Sequence, residues 1–215
     1  MVYCVLSRRP GTLSESKSEQ PLFLSTNPIA MTTSDTTHPY TGVFPIAPTP
    51  FNEDESLDLP GQKRVLDCMV DQGVDGICIL ANYSEQFLLT DEERNTLLEL
   101  CLNHVDERVP VIVTCSHFST RVALERALQA ESAGARMVML MPPYHGAALR
   151  ADEHGTFEHF SKIAQAVSIP IMVQDAPLSG VTLSVSLLER MAKELPHVNY
   201  FKVEMPGAAD KLRAL

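Results

Sequence analysis

The sequence has no Cys-x-x-Cys pair, no apolar stretch of membrane-spanning length and no surplus of positive charge. Its five cysteines (Cys4, Cys68, Cys78, Cys101 and Cys115) are scattered, four of them inside apolar runs. That distribution reads as packed free thiols in a reducing compartment rather than a disulfide framework. A transmembrane helix needs about 20 consecutive apolar residues, and none is present, so a membrane span is not expected. Asp and Glu outnumber Lys and Arg by 27 to 17, a formal net charge of −10. This excess argues against nucleic acid or an anionic membrane as partner, and a small anionic substrate would need a local positive or amide-lined site. The histidines (His38, His104, His117, His145, His154, His159 and His197) have no metal-ligand spacing, so no metal is expected.

With 215 residues, 45% of them hydrophobic and 20% charged, the chain is long enough for one substantial core. Residues 1–39 differ from the rest, being dominated by Ser, Thr, Pro and Gln without an apolar period, and are expected to form a disordered N-terminal extension. The expected location is cytoplasmic. Arg8, Arg9 and the serines leave a mitochondrial transit peptide as the alternative, which Glu15 and Glu19 oppose, and Met31 is an alternative start.

From Gly42 onward a unit repeats: a short unalternating apolar run, a turn, then a helix-period segment. Unalternating runs mark strands buried on both faces. They begin near Val43, Asp75, Val111, Arg136, Ile169 and Val198, spaced 26 to 35 residues apart, close to the βαβ period of about 30 residues. Helices are predicted over Leu59 to Gln72, Asp91 to Val105, Ser119 to Ala133, Glu153 to Val167 and Ser184 to Leu195. Thr90 and Glu93 form a capping box, and Gly73 and Gly134 stand at C′ positions. Parallel strands alternating with helices give a doubly wound sheet or a (β/α)8 barrel. No Gly-x-Gly-x-x-Gly follows the first run, which disfavours the nucleotide-binding form. A barrel needs eight units and this text supplies about six, so an incomplete barrel over residues 40–215 is expected.

Five of the six lysines (Lys17, Lys63, Lys162, Lys193 and Lys211) fall in the extension or on polar helix faces, whereas Lys202 interrupts an apolar strand. An ammonium there is costly unless paired, and burial favours the free amine that attacks ketones. The residues alone leave open an ion pair with Glu204 or an edge-strand lysine reaching solvent. Two further strand ends carry polar or turn-forming text, Ala81-Asn82-Tyr83-Ser84-Glu85-Gln86 and Met141-Pro142-Pro143-Tyr144-His145-Gly146. The first offers amides and hydroxyls for a carboxylate, the second a phenol placed by rigid prolines. His117 reads as a satisfied loop histidine and Cys115 as structural.

These strings resemble the pyruvate-dependent class I aldolases and dehydratases that include dihydrodipicolinate synthase and N-acetylneuraminate lyase. The resemblance runs from Gly42 to Leu215. It implies a TIM barrel in which Lys202 forms a Schiff base and the loop from Ala81 to Glu85 binds the keto-acid carboxylate. In the family's matching turn a tyrosine crosses to a partner subunit, so Tyr144 implies a homo-oligomer. The family's aldolases end strand five with a tyrosine, but here the text is Gln174-Asp175-Ala176-Pro177. A retro-aldol step needs a base at the C4 hydroxyl, and glutamine cannot titrate. The resemblance therefore implies dehydration of a 2-keto-3-deoxy sugar acid. Lys202 would attack C2, C3 would lose a proton, and the C4 hydroxyl would leave. Tyr144 is the leading proton carrier, followed by Asp175 and His145, while Asn82, Tyr83, Ser84 and Glu85 hold the carboxylate. No cofactor is expected, since the iminium is the electron sink. A related aldolase and an inactive barrel fragment remain as alternatives.

Overall fold

The computed structural model describes residues 40–145 and 149–215, and the disorder expected for residues 1–39 lies outside them. Five strands form one parallel sheet in sequential order: β1 (Ile77–Ile79), β2 (Val111–Thr114), β3 (Met137–Leu140), β6 (Ile171–Asp175) and β7 (Val198–Val203). Between β3 and β6 a small antiparallel hairpin pairs β4 (Tyr144–His145) with β5 (Leu149–Arg150). The sequence around Pro142 and Pro143 predicts only a turn there.

Among the described residues six helices connect or follow the strands: α1 (Leu59–Asp71), α2 (Asp91–Val105), α3 (Thr120–Ser132), α4 (Glu153–Ala164), α5 (Val185–Glu194) and α6 (Ala208–Ala214). Each of the first five starts at an Asp, Ser or Thr whose side chain accepts an otherwise orphaned backbone N–H. The Thr90–Glu93 capping box is present in full. Gly73 and Gly134, just beyond α1 and α3, take φ of 75° and 100°, which only glycine adopts without strain.

The first expected strand is reduced to one bridge, Ile46 with Cys78. Cys78 N–H donates to the Pro45 carbonyl at 2.9 Å, and Ala47 N–H donates to the Cys78 carbonyl at 2.9 Å. Pro45, on the edge that bonds to β1, lacks an N–H donor, which removes a rung beside the bridge. Gly76 lets the segment lie close, because a Cβ there would sit 2.0 Å from the Phe44 ring and 2.8 Å from the Pro110 carbonyl.

Both faces of the sheet are covered, which is why the strand text is unalternating. The helix-facing side packs Ile77, Ile79, Val111, Val113, Val138, Leu140, Ile171 and Val173 against residues such as Leu66, Leu97, Ala127, Phe160 and Leu188. The opposite side gathers Phe44, Cys78, Ile112, Met137, Met139, Met172 and Tyr200 into the barrel interior. Among the described residues β7 forms one margin of the curved sheet and the Ile46 segment the other. The architecture is an incomplete (β/α)8 barrel.

One irregularity decides what faces inward. Ile171 pairs with Val198, but Met172 pairs with Tyr200, so Asn199 is an extra residue in β7. Such a bulge shifts the side-chain phase by one position. Val198 therefore faces the helices while Tyr200 faces the interior, and Lys202, opposite Gln174, continues the interior row.

Candidate active site at the strand ends

Lys202 lies near the carboxyl end of β7, where chemistry in such barrels is assembled. It is buried, with 4% of its surface exposed, and its Nζ sits 3.4 Å from Glu204 Oε1. The other carboxylate oxygen, Oε2, accepts a hydrogen bond from Gln174 Nε2 at 2.6 Å. Glu204 thus bridges the two interior residues that end β6 and β7. Gln174 is buried, and its Oε1 has no hydrogen-bond partner. Lys202 has Glu204 as an ion-pair partner, and it points into the barrel rather than reaching out from the edge. Deeper inside, the Cys78 thiol is pushed up to about 11, chiefly by burial, against the opposing pull of Lys202.

Above this cluster opens a cavity of about 400 Å³ lined by Asn82, Tyr83, Gln174, Ala176, Pro177, Leu178 and Glu204. Its volume suits a small metabolite. Asn82 and Tyr83 reach it from a short 3-10 turn, Asn82–Ser84, that follows β1. Asn82 Oδ1 accepts from Gln86 Nε2 at 2.8 Å, and its Nδ2 contacts Met141 Sδ at 3.6 Å. A thioether is a weak acceptor, so this amide can be redirected to a ligand carboxylate at small cost. Tyr83 is largely exposed.

The remaining expected site residues divide. Ser84 turns away from the cavity, its hydroxyl donating to the Ala47 carbonyl at 2.6 Å while its own carbonyl accepts from Thr49 Oγ1 at 2.8 Å. It ties the turn to the first segment instead of offering a hydroxyl to substrate. Glu85 is exposed and takes the left-handed conformation, φ 59°, that ends the turn. Tyr144 is half-buried at the start of the hairpin and meets Phe87 edge-on, with ring centroids 6.0 Å apart. Burial pushes its phenol up to about 12. The His145 side chain lies outside the described residues.

Asp175 has to be removed from the candidate proton carriers. Adjacent strand residues face opposite ways, and with Gln174 inside, Asp175 faces the helices. It is fully buried there, with Oδ2 2.6 Å from Lys211 Nζ and Oδ1 accepting from Leu183 N–H at 3.4 Å. Lys211, assigned from sequence to a polar helix face, instead turns toward the sheet, partly buried, and it also donates to the Leu183 carbonyl. Glu204 was foreseen only as a pairing partner. The available signal was its spacing of two from Lys202, which on an extended strand puts both side chains on one face. Among the described residues no group of three or more His, Cys, Asp and Glu side chains is placed to hold a metal ion, and no helix is long and apolar enough to cross a membrane.

Comparison with known proteins gives a consistent set of relatives. The pattern that defines the Dihydrodipicolinate synthetase family matches residues 39–208. Over 183 residues, 85% of this chain, there is 55% identity to L-2-keto-3-deoxyarabonate dehydratase of Azospirillum brasilense, of which 59% is covered. The 4-hydroxy-tetrahydrodipicolinate synthase of Acidothermus cellulolyticus is 34% identical over 164 residues, 76% of this chain and 52% of that protein. Among solved structures, YagE of Escherichia coli K12, a prophage protein of the dihydrodipicolinic acid synthase family in complex with pyruvate, superposes with a TM-score of 0.76. The match has 29% identity and covers 81% of this chain and 58% of that one. The chain thus spans between half and three-fifths of the length of these relatives.

Proposed function

Because the chain belongs to the dihydrodipicolinate synthetase family, we propose that it carries the Schiff-base machinery of a lyase that dehydrates a 2-keto-3-deoxy sugar acid. The substrate we assign is L-2-keto-3-deoxyarabonate, converted to 2-oxoglutarate semialdehyde. The observation that carries the reading is the row formed by Lys202, Glu204 and Gln174, of which Glu204 and Gln174 line one cavity. A buried amine supplies the nucleophile for C2, and the resulting iminium withdraws electrons from C3 without a metal or cofactor. The cavity wall offers Asn82 and Tyr83 for the substrate carboxylate.

Gln174 favours elimination over carbon-carbon cleavage. Cleavage needs a group that takes the C4 hydroxyl proton, and an amide at that strand end cannot. Elimination asks for the hydroxyl to depart with a proton added. The 55% identity to a dehydratase supports the same choice. A homo-oligomer belongs to the proposal as well, because Tyr144 stands beside exposed Phe87, with Leu88 and Tyr83 exposed on the same loop.

The test is reductive trapping. Incubation with pyruvate or the deoxy keto acid, followed by borohydride and peptide mass analysis, should place the adduct on Lys202. Product analysis should then find the semialdehyde. Release of pyruvate would favour an aldolase, and folded protein with unmodified Lys202 would refute the reading.

A further inference from the structure

The Asn82 amide can serve a substrate carboxylate only if its nitrogen edge, not its oxygen edge, faces the ligand. The two ends of an amide are nearly alike in shape, so packing alone does not choose between them and hydrogen-bond partners must. We propose that Gln86 is the positioning residue that makes this choice, holding Asn82 as a donor toward the carboxylate of the 2-oxo acid. The inference rests on the reading of Asn82 as a carboxylate ligand.

The partners of the two amides carry it. Gln86 Nε2 donates to Asn82 Oδ1 at 2.8 Å and so occupies the oxygen edge. Asn82 Nδ2 meets the sulfur of fully buried Met141 at 3.6 Å. Asn82 therefore stands between a donor and a weak acceptor. Turned over alone, it would bring two NH2 groups together. Turned over in concert with Gln86, it would press its oxygen against the sulfur and leave the Gln86 NH2 in place of an acceptor. Gln86 is 3% exposed, so water does not substitute for it, and its Oε1 has no hydrogen-bond partner. A buried acceptor left unmatched is a cost the fold sustains while Nε2 is aimed at Asn82.

The turn itself brings the two side chains together. Glu85, at φ 59°, reverses the chain, and Gln86 N–H closes back on the Ala81 carbonyl at 3.3 Å. Gln86 does not line the cavity, whereas Asn82 does. Its effect on a ligand therefore passes through Asn82, whose Nδ2 exchanges a thioether for a charged oxygen when a carboxylate binds.

Pyruvate and its neutral methyl ester are the probes. Each is titrated against the protein and fixed on Lys202 by borohydride, and intact mass gives the trapped fraction and the half-saturating concentration. Gln86→Met should raise that concentration about fivefold for pyruvate, the worth of one net hydrogen bond, and by less than about twofold for the ester. The trapped fraction at saturation should match the parent, since Lys202 is untouched. In an Asn82→Ala background the same substitution should add less than about twofold. Unchanged pyruvate binding, an equal rise for both ketones, or the full rise without Asn82 would each overturn the inference. If Gln86→Met does not fold, Gln86→Glu, which keeps the shape but replaces the donor by an acceptor, carries the same cycle, and a rise that persists in Asn82→Ala overturns it. Asn82→Ala that binds pyruvate as the parent does would overturn the carboxylate reading and this inference together, with trapping on Lys202 intact. Failure of the unsubstituted protein to trap pyruvate would overturn the Schiff-base reading as well.

Discussion

The ion pair between Asp175 and Lys211 fixes the last described helix to the sheet, and breaking it should cost more than any surface substitution. The Asp175 side chain is 1% exposed and that of Lys211 14%, with 2.6 Å between oxygen and nitrogen. Replacing Asp175 by Ala leaves the partly buried Lys211 ammonium with the Leu183 carbonyl as its remaining partner. Orphaning one member of a buried pair costs about 3–5 kcal/mol, a large share of the roughly 5–15 kcal/mol that holds a domain folded. With a urea slope of about 2 kcal/mol per molar, the unfolding midpoint should drop by about 2 M. Removing both charges, as Asp175→Leu with Lys211→Met, should recover most of that loss, since an apolar pair of similar volume is often as stable as the buried ions. Urea titrations of the parent, the single and the double variants supply the comparison, and borohydride trapping on Lys202 should persist in Asp175→Asn. A single variant within about 1 kcal/mol of the parent, or a double no better than the single, would refute the account.

Two further outcomes follow from burial. His159 is buried against Thr120 Oγ1 at 3.0 Å, and desolvation lowers it from 6.5 to about 4. Above pH 6.5 the ring is neutral whether the chain is folded or not. Between pH 6.5 and 4 the unfolded chain binds a proton that the folded one refuses, so stability falls as pH falls, by about 3 kcal/mol from this residue. Urea unfolding at pH 7 and pH 4.5 should show a smaller loss in His159→Gln, and equal losses would contradict the assignment. Among the described cysteines, Cys68 is exposed, while burial raises Cys78, Cys101 and Cys115 to about 11, 12 and 11. Iodoacetamide at neutral pH should therefore modify Cys68 first, with the other three protected until unfolding. Peptide mapping of the native protein that finds Cys115 labelled as fast as Cys68 would disprove this.

The order of the parallel strands and the first five helices was legible because each of those helices begins at a recognisable cap and each of those strands lies in a largely apolar run. Lys202 stood out for the same reason, as a charge inside such a run. What escaped the sequence was orientation. Gln174 and Asp175 are neighbours on one strand, whose alternation allows only one of them to face the interior. Lys211 was misplaced because α6, at seven residues, is too short to show a face. Ser84 looked like a hydroxyl for substrate, but its bond to the Ala47 carbonyl comes from a segment 37 residues away, and no local pattern announces a contact of that range. The first strand is shorter than its apolar run, in which Pro45 has no N–H to give to the ladder.

The extra residue at Asn199 makes the chemistry depend on a count rather than on a composition. Were β7 to pair with β6 in unbroken register from Val198 onward, every side chain of the reactive row would still be encoded in the same order. Yet Lys202 would then fall opposite Asp175 and face the helices, and Phe201 would look into the cavity in its place. Frame, in this strand, is a functional property: a one-residue slip would be as disabling as loss of the lysine itself, although all six lysines would remain in the text.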